Sequence, residues 1–339
     1  MPSNSKTTLK SLIDSILSTK GNIQKKLFNL AHILLGKSIL YIGGIPHRIL
    51  EGEFYLNSEK HPDPFTHNQQ LQTLFGRWYF HKAGPSSTAK YRGGTYKGLD
   101  ITLSTDSTAT FALLIRSLEP LVSSKESNLD KIDKKDKRNI IEGPSLCVDY
   151  ILNLTKNKSI NDLVKQLDSE LWAFLPKDWR KDKDTCYVLG LELNSSHVSL
   201  LPTKLVESPR IGLSLNSKKP SNLQYGMSFI MRPYRFLLES KEIKKGKPHI
   251  ILKAYDRLKL EEISELTGVA KSTLQKYICW METGKKMNLI EGIDNDQDCP
   301  TKWTHEVYQK YSGSLNSKSF CELYGLCLLL EAKTHYKTH

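Results

Sequence analysis

The stretch Leu50-Glu-Gly-Glu-Phe-Tyr55 has the two-residue alternation of a β-strand, and it decides how the rest of the chain is interpreted. Every second side chain of a strand points to the same face, so its two glutamates and its tyrosine are predicted to lie together. A second stretch, Phe111–Leu121, is an apolar strand that carries a single arginine, Arg116. Two carboxylates, an arginine and an aromatic ring on neighbouring strands could orient a water molecule against a flat substrate.

The overall charge is basic. The chain has 339 residues, with 49 Lys and Arg against 36 Asp and Glu, a formal net charge of +13. Such a balance favours polyanionic partners, although a soluble protein that is merely basic is the alternative. No apolar run approaches the ~20 residues that cross a bilayer, and the N-terminus has no signal-peptide core. We therefore expect an intracellular, soluble protein of the cytoplasm or nucleus, without a membrane partner.

The six cysteines are spread along the chain without a paired spacing. Zinc and iron–sulfur sites usually carry closely spaced cysteine pairs, so the sequence does not indicate either of them. We expect no metal and no cofactor.

The periodicity of the chain predicts an α+β fold, with a mostly antiparallel, curved β-sheet core and packed helices. Helical spacing is found between residues 8 and 36, after Gly143 and after Ser159. A charged segment, Ser123–Asn139, is expected to be a solvated insertion. Strands are predicted at residues 38–56, Arg77–His81, Thr95–Ser104, Thr108–Arg116, Tyr187–Leu193, Arg210–Leu215 and Met227–Leu238.

The composition changes near residue 242, which predicts a catalytic domain at 1–241 and a small helical domain at 242–339. Within the second, the pattern of 260–278 is typical of a helix-turn-helix, with Gly268 at the turn. A helical hairpin used only for packing is the alternative. The residues that could meet phosphates or base edges are Lys271, Ser272, Thr273, Gln275 and Lys276.

Five short blocks occur in an order that resembles the alkyladenine (3-methyladenine, methylpurine) DNA glycosylase family. The resemblance covers residues from about 25 to 240 and ends before the helical domain. The blocks are Leu30-Ala-His-Ile-Leu-Leu-Gly36, Ile49-Leu-Glu-Gly-Glu-Phe-Tyr55, Leu114-Ile-Arg-Ser-Leu-Glu-Pro-Leu121, Gly143-Pro-Ser-Leu-Cys147 and Ser208-Pro-Arg-Ile-Gly212, followed by Met231-Arg-Pro-Tyr-Arg-Phe236.

The resemblance implies a monofunctional DNA glycosylase. Such an enzyme flips an alkylated or deaminated purine out of duplex DNA and hydrolyses its N-glycosidic bond. By resemblance, Glu53 is the general base that activates water, and Arg116 helps to orient that water. The alternatives are a solvent-facing strand residue for Glu53 and a strand-end ion pair for Arg116. Because no lysine stands where a Schiff-base nucleophile would be expected, strand cleavage is not predicted. A monomer is expected.

The resemblance also implies a pocket for the flipped base. Tyr55 would stack on the base and His67 would read its edge, while Tyr79 and His81 would supply further rings. His81 departs from the family's usual tyrosine. Thr102 falls near the asparagine that keeps out guanine's amino group, so the exclusion of guanine adducts such as 7-alkylguanine is in doubt.

The loop before residue 98 is rich in basic and aromatic residues. In the family, a hairpin tip inserts an aromatic ring into the DNA to fill the gap. Tyr96 is the first candidate for this role and Tyr91 the second, with Lys90, Arg92 and Lys97 as basic neighbours. An ordinary basic loop is the alternative.

Two other functions remain open at this level. A non-catalytic DNA-binding or regulatory protein could use the helix-turn-helix alone, with salt-dependent binding and no base release. A transferase acting on RNA is the weakest alternative, because nothing in the sequence resembles a formyl-donor site.

Overall fold

A computed structural model describes residues 5–84, 86, 88–121, 139–167, 169–180, 187–195, 204–215, 226, 228–287, 307 and 309–335. The chain forms two compact units. The first takes residues 1–62, 66–205 and 236–239, and the second takes residues 63–65, 206–235 and 240–339. This division joins 206–235 to the C-terminal helices, whereas the sequence-based division at 241/242 assigns them to the catalytic part and stays a prediction.

Two of the helices of the first unit precede the sheet and two follow its central strand. They are α1 (Ser5–Ser18), α2 (Gln24–Leu34), α3 (Pro144–Leu154) and α4 (Ile160–Gln166). Helix α2 buries Leu27, Leu30, Ala31 and Leu34, as its apolar spacing predicts. Ser159 caps α4 by accepting a hydrogen bond from the Asp162 N–H.

One large antiparallel sheet dominates the first unit and confirms the predicted α+β class. Its main strands lie in the order β4, β5, β6, β2, β1, β8, and each is antiparallel to its neighbours. Strands β3 and β10 pair with β2, and β7 pairs with β6. The strand bounds are β1 Ile39–Ile42, β2 Ile45–Ser58, β3 His61–Pro62, β4 Trp78–Phe80, β5 Leu99–Thr102, β6 Thr110–Pro120, β7 Ile141–Glu142, β8 Leu189–Glu192, β9 Val206–Ser208 and β10 Arg235–Leu237.

One face of this sheet is packed into the apolar core. Phe54 of β2 lies 5.8 Å from Phe111 and 5.6 Å from Phe236, measured between ring centroids. Leu113 lies opposite Phe54 on the neighbouring strand. The same line across the sheet continues with buried apolar residues on β5 and β4. Because neighbouring side chains of a strand point to opposite faces, the residues flanking Phe54 project away from this core.

The pairing of β2 with β6 contains a double irregularity. Ile49 is opposite Leu118 and Glu51 is opposite Ser117, so Leu50 is an extra residue in β2; Arg116 is extra in β6. The carbonyl of Leu50 accepts from the Leu238 N–H at 2.8 Å.

Gly143 holds the other extra residue in place. The carbonyl of Arg116 accepts from the Gly143 N–H at 2.7 Å. Gly143 has φ +122°, a region that residues with a side chain rarely adopt. A bulge re-aims the side chain it carries, and here that side chain is the guanidinium of Arg116.

The second unit is mainly helical. Its helices are α5 (Lys247–Tyr255), α6 (Leu260–Thr267), α7 (Lys271–Lys285) and α8 (Ser317–His335). Helices α5, α6 and α7 share a small core made by Ile251, Ile263 and Leu274, all fully buried. Gly268 ends α6 with φ +68°. Two helices therefore flank the turn at Gly268, with Leu266 only half-buried. That they form a helix-turn-helix which binds DNA stays a prediction.

One of the predicted strands is wrong and another is only partly right. Residues 210–215 contain no strand, residues 228–230 are helical, and the only strand among the described residues 228–238 is β10. Pro209 and Pro233 have no N–H to donate to a ladder. In addition, the Arg210 guanidinium binds the Asp63 carboxylate through two contacts, 2.6 and 3.2 Å long. The predicted insertion at 123–139 lies outside the described residues except for residue 139.

Candidate active site

The register of four strands brings distant parts of the chain into one line. Glu53 of β2 is opposite Leu114 of β6, which is opposite Asp100 of β5, which is opposite Tyr79 of β4. Directly opposed residues share a face of the sheet, and this line alternates with the buried line of Phe54. The face opposite the core therefore carries the polar residues, and we call it the polar face.

Glu51, Glu53 and Arg116 form a buried charged cluster on this face. Arg116 donates through Nε to Glu51 Oε1 at 2.9 Å and through Nη1 to Glu53 Oε2 at 3.3 Å. The Ser117 hydroxyl donates to Glu51 Oε2 at 2.6 Å. The two carboxylate side chains are 1 and 0 % exposed. The bulge thus places the guanidinium of Arg116 between the carboxylates of Glu51 and Glu53, which lie two residues apart on β2.

The electrostatics of this cluster favour a permanent positive charge at its centre. Burial alone would lower the pKa of Arg116, but the Glu53 and Glu51 carboxylates outweigh it and raise that pKa above its ordinary value. A charge buried with its partners is screened much less than one at the surface. The guanidinium therefore stabilises negative charge at Glu53 and can also donate to a molecule held beside it.

Tyr55 joins the cluster from two residues further along β2. Its hydroxyl donates to Glu53 Oε2 at 2.8 Å, and its side chain is half-buried. This hydrogen bond fixes the orientation of the phenol while part of the ring remains accessible. The sequence-predicted set Glu53, Tyr55 and Arg116 is therefore brought together by the fold.

Three more predicted rings cluster at the β4 end of the polar face. The His67 ring lies 4.4 Å from the His81 ring and 6.2 Å from the Tyr79 ring. Burial, followed by the charge of His81, lowers the pKa of His67 to about 4. Burial and the Asp100 carboxylate raise the pKa of Tyr79. At neutral pH this cluster therefore presents a neutral imidazole and a protonated phenol.

Asp100 is a site residue that sequence reasoning missed. It is buried on β5 and accepts from His81 Nε2 at 2.7 Å and from Gln72 Nε2 at 3.2 Å. The sequence did contain a signal for it, a carboxylate inside the apolar stretch Leu99–Leu103. Charged residues are almost never fully buried without partners, so such a carboxylate is expected to have a specific partner. Asp100 links the His81 ring to the same line of residues as Glu53.

Thr102 is engaged by the backbone of the neighbouring strand. Its hydroxyl accepts from the Arg77 N–H at 2.9 Å and donates to the Arg77 carbonyl at 3.3 Å. It is fully buried, opposite Ala112 of β6. The hydroxyl therefore closes the end of the β4–β5 pair, and its predicted effect on guanine adducts stays a prediction.

The two tyrosines of the predicted DNA-contacting loop differ in their exposure. Tyr96 ends a short 3-10 turn and is 73 % exposed. It neighbours the start of α3, where the Ser145 hydroxyl donates to the Gly94 carbonyl and Leu146 is exposed. Tyr91 is half-buried, with its ring 6.2 Å from that of Phe80. Only Tyr96 has the exposure that insertion into a duplex requires.

The basic residues of this loop differ in their surroundings. Lys90 is exposed, Arg92 donates through Nε to the Lys82 carbonyl at 2.9 Å, and Lys97 pairs with Asp149. A nearby phosphate could accept further hydrogen bonds from the Arg92 guanidinium, which has five N–H donors in all.

The predicted DNA-contacting residues of the second unit lie at the start of α7. Lys271, Ser272, Gln275 and Lys276 are exposed, and Thr273 is half-buried. The Lys271 ammonium pairs with Glu261 of α6 at 2.7 Å. An ion pair that forms within the protein leaves less of this lysine's charge for a phosphate, so Lys276 is the stronger candidate.

Within the described ranges, no group of three or more His, Cys, Asp or Glu side chains is arranged to hold a metal ion. Among the helices so described, none combines the length and the apolar character needed to cross a membrane.

Comparison with known proteins gives a family for most of the chain. The family model described as methylpurine-DNA glycosylase (MPG) matches residues 22–242. The chain is similar to the uncharacterized protein L759 of Acanthamoeba polyphaga mimivirus, at 29 % identity over 239 residues, which is 67 % of this chain and 92 % of that protein. No solved structure matches the chain. The family match includes β2 and β6 and ends before α5.

Proposed function

The chain belongs to the methylpurine-DNA glycosylase family, and we propose that it excises alkylated or deaminated purines from double-stranded DNA. Family membership supports a DNA glycosylase, a hydrolase that acts on DNA. The finer proposal is hydrolysis of the N-glycosidic bond by a water molecule that Glu53 activates. The observation that carries it is a fully buried carboxylate held jointly by Arg116 and Tyr55.

Glycosidic cleavage needs a carboxylate close to the sugar. The bond breaks through a transition state in which the sugar resembles an oxocarbenium ion, and a water molecule must then attack. A carboxylate has about four acceptor positions. Arg116 and Tyr55 both donate to Oε2 of Glu53 and fix the orientation of the carboxylate. In this proposal the attacking water lies beside this group. Glu53 takes the proton from that water, and its charge stabilises the positive sugar.

The surroundings of Glu53 strengthen this effect. Electrostatic interactions in a water-poor site are larger than in bulk solvent. The target nucleotide must leave the helical stack to reach such a site. The half-buried ring of Tyr55 supplies a surface on which the base can stack, an interaction worth about 1–3 kcal/mol per base.

Contacts with the duplex are assigned to the exposed turn of the first unit. Tyr96 fills the gap that the flipped nucleotide leaves, because it is the most exposed large ring among the described residues. Lys90, Arg92 and Lys97 contact phosphates. The product is an abasic site in an intact strand, since no lysine nucleophile is predicted, and the enzyme acts as a soluble intracellular monomer.

The test uses a panel of duplexes, each carrying one hypoxanthine or one methylated purine. Free base is measured by mass spectrometry, and abasic sites are measured as alkali-labile breaks. Glu53→Gln is expected to lower base release by about 10²–10⁴-fold with little change in DNA affinity. Glu170→Gln, an exposed carboxylate paired with Arg77, serves as the matched control and releases base like the parent.

The outcomes separate the candidate functions. Release by Glu53→Gln at the parent rate would show that Glu53 is not the base. Salt-dependent binding without release from any duplex of the panel would favour the non-catalytic DNA-binding alternative.

A second DNA contact is proposed at the start of α7. The exposed Gln275 and Lys276 lie on one side of the helix that follows the Gly268 turn. In the full chain, Lys276→Gln is expected to reduce the salt dependence of DNA binding by about one phosphate contact. Lys285→Gln, whose ammonium pairs with Glu282 on the same helix, is the control. An unchanged salt slope for Lys276→Gln would assign α7 to packing only.

A further inference from the structure

Asn68, the residue that follows His67, has a backbone conformation that residues with a side chain rarely adopt. Its φ is +52°, in the left-handed region, which Asn tolerates better than most residues because its short amide can form local hydrogen bonds. Such conformations persist when the surrounding structure holds them, and they cluster at functional sites. The contacts of the Asn68 side chain indicate what holds it there.

Three hydrogen bonds converge on the Oδ1 atom of Asn68. The Thr66 hydroxyl donates to it at 2.6 Å, Asn57 Nδ2 at 2.9 Å and the Thr110 hydroxyl at 2.9 Å. Asn57 and Thr110 are directly opposite each other at the end of the β2–β6 pair. One amide oxygen thus ties the chain beside His67 to the two strands that carry the candidate catalytic cluster.

This anchor lies at the end of the polar face. Asn57 follows Glu53 and Tyr55 in the alternation of β2, so the three side chains project to the same face. Thr110, the partner of Asn57 on β6, is buried, so water competes less for its hydroxyl than for an exposed one. The Asn68 oxygen therefore joins the segment to the same face that carries Glu53.

The residues that follow Asn68 are anchored to β5. Gln69 Nε2 donates to the Gly84 carbonyl at 3.0 Å, and the Gln69 N–H donates to Gln72 Oε1 at 3.1 Å. Gln72 Nε2 in turn donates to Asp100 Oδ2 at 3.2 Å. The segment is therefore tied to β2 and β6 at its first residues and to β5 at its last.

The position of the His67 ring depends on this segment. The ring lies edge-to-face on His81 at 4.4 Å, and its Nδ1 is 3.5 Å from the Tyr79 hydroxyl. Both contacts need the side chain to project in one direction. Anchoring Asn68 fixes the peptide group that joins it to His67, and so limits the directions that the side chain can take.

We propose that Asn68 is a positioning residue that holds the His67 ring beside His81 and Tyr79 in the base pocket. The role in base release rests on the glycosylase function proposed above. Asn68 acts through His67 and makes no contact with the base. Glycine at this position could adopt the same φ but could not supply the acceptor oxygen, which is the part that the proposal requires.

The first test is the pKa of His67, measured by NMR in Asn68→Gly and in Asn194→Gly. Both asparagines are exposed, with φ +52° and +51°, so glycine suits the backbone at each. Burial is the main cause that lowers the pKa of His67 to about 4. A ring released from its buried position regains solvent, so Asn68→Gly should raise this pKa by about one pH unit or more. Asn194→Gly should leave it unchanged, and the signal is assigned by its absence in His67→Ala.

The second test is single-turnover release of damaged base. Asn68→Gly is expected to slow release by about tenfold, the effect of one lost hydrogen bond, whereas Asn68→Asp keeps the acceptor and should release base close to the parent rate. The double variant His67→Ala with Asn68→Gly should be no slower than His67→Ala alone, because the effects of coupled residues do not add.

The outcomes separate positioning from stability. An unchanged pKa of His67 in Asn68→Gly, or additive losses in the double variant, would overturn the positioning role. If Asn68→Gly does not fold, as judged by thermal unfolding, Thr110→Val takes its place because it removes one of the three donors, and the pKa of His67 must then rise in the same direction. A parent that releases no base from any duplex would overturn the glycosylase proposal, and the pKa of His67 would still decide whether Asn68 positions the ring.

Discussion

Two arginine clusters on the same pair of strands differ in what they can do. Arg48 of β2 contacts Glu119 at 3.2 Å and Glu239 at 3.6 Å. Arg116 of β6 contacts Glu51 and Glu53 at 2.9 and 3.3 Å. Each cluster combines one guanidinium with two carboxylates. The carboxylate side chains near Arg48 are 11 and 17 % exposed, whereas those near Arg116 are at most 1 % exposed.

The difference shows that residue types alone do not make a site. Arg48 and Glu119 are direct partners in the regular register of β2 and β6. Arg116 is an extra residue in that register, and the bulge turns it toward two successive glutamates on one face. Tyr55 and Ser117 then complete the buried cluster. The local break in the ladder is what separates the candidate active site from an ion pair in regular register.

The largest expected effect comes from removing each guanidinium. Arg116→Met leaves two carboxylates buried side by side, and loss of one partner of a buried pair costs about 3–5 kcal/mol. Arg48→Met should lower the free energy of unfolding by less than Arg116→Met does, because the two carboxylates left behind are 11 and 17 % exposed and can reach water, although Arg48 itself is buried. Urea unfolding at pH 7 measures both. Equal losses would break the comparison by showing that the difference in burial has no energetic consequence.

Replacement by lysine sharpens the comparison in activity. An ammonium is a compact point charge and cannot contact two carboxylates with the fixed fork of a guanidinium. Arg116→Lys is expected to lower single-turnover base release by about 100-fold, near the lower end of a general-base effect. Arg48→Lys should release base at the parent rate. A similar decrease in both variants would mean that the strand pair responds as a whole and that Arg116 has no special role.

The smallest effect concerns pH. Because the pKa of His67 is lowered to about 4, the unfolded chain binds this proton more readily than the folded protein does. The stability that His67 contributes is complete above pH 6.5 and is lost as the pH falls toward 4. The parent should therefore lose unfolding free energy when the pH falls from 7 to 5, and His67→Gln should lose about 1–2 kcal/mol less over the same interval.

The control for this titration is a histidine with a smaller shift. His32→Gln on α2, where burial and then Lys37 lower the pKa, should change the pH dependence less. If the two variants follow the same curve as the parent, His67 does not contribute to acid sensitivity, and the decrease must be assigned to other groups.

Local patterns in the sequence were sufficient for much of the fold. The alternation of residues 50–55 predicted β2, helical spacing predicted α2, and Ser159 predicted the cap of α4. These features succeed because each depends on residues close together in the chain. The wrong strand assignments at 210–215 and 228–234 show the limit, because a buried Arg210–Asp63 contact spans 147 positions of sequence.

The candidate site was predictable in its parts but not in its assembly. Glu53 and Tyr55 follow from one strand, and Arg116 was found by resemblance to a family block. The contact of Asp100 on β5 with His81, the residue after β4, joins separate segments of the chain, and the periodicity of neither segment predicts it. Thr102 lies on β5 with its hydroxyl engaged by the backbone of Arg77, a contact that no local pattern predicts, and its place in the base pocket stays a prediction.

The α+β class, the strand that carries both glutamates, and the helices around Gly268 follow from the order of residues alone, because period-two and period-3.6 patterns are local consequences of backbone geometry. The positions of Arg116 between Glu51 and Glu53 and of Asp100 beside His81 come from the packed fold. Those contacts depend on strand register and on a bulge held by Gly143 and Leu238. Register is a relation between distant segments, so it is settled when the whole sheet packs.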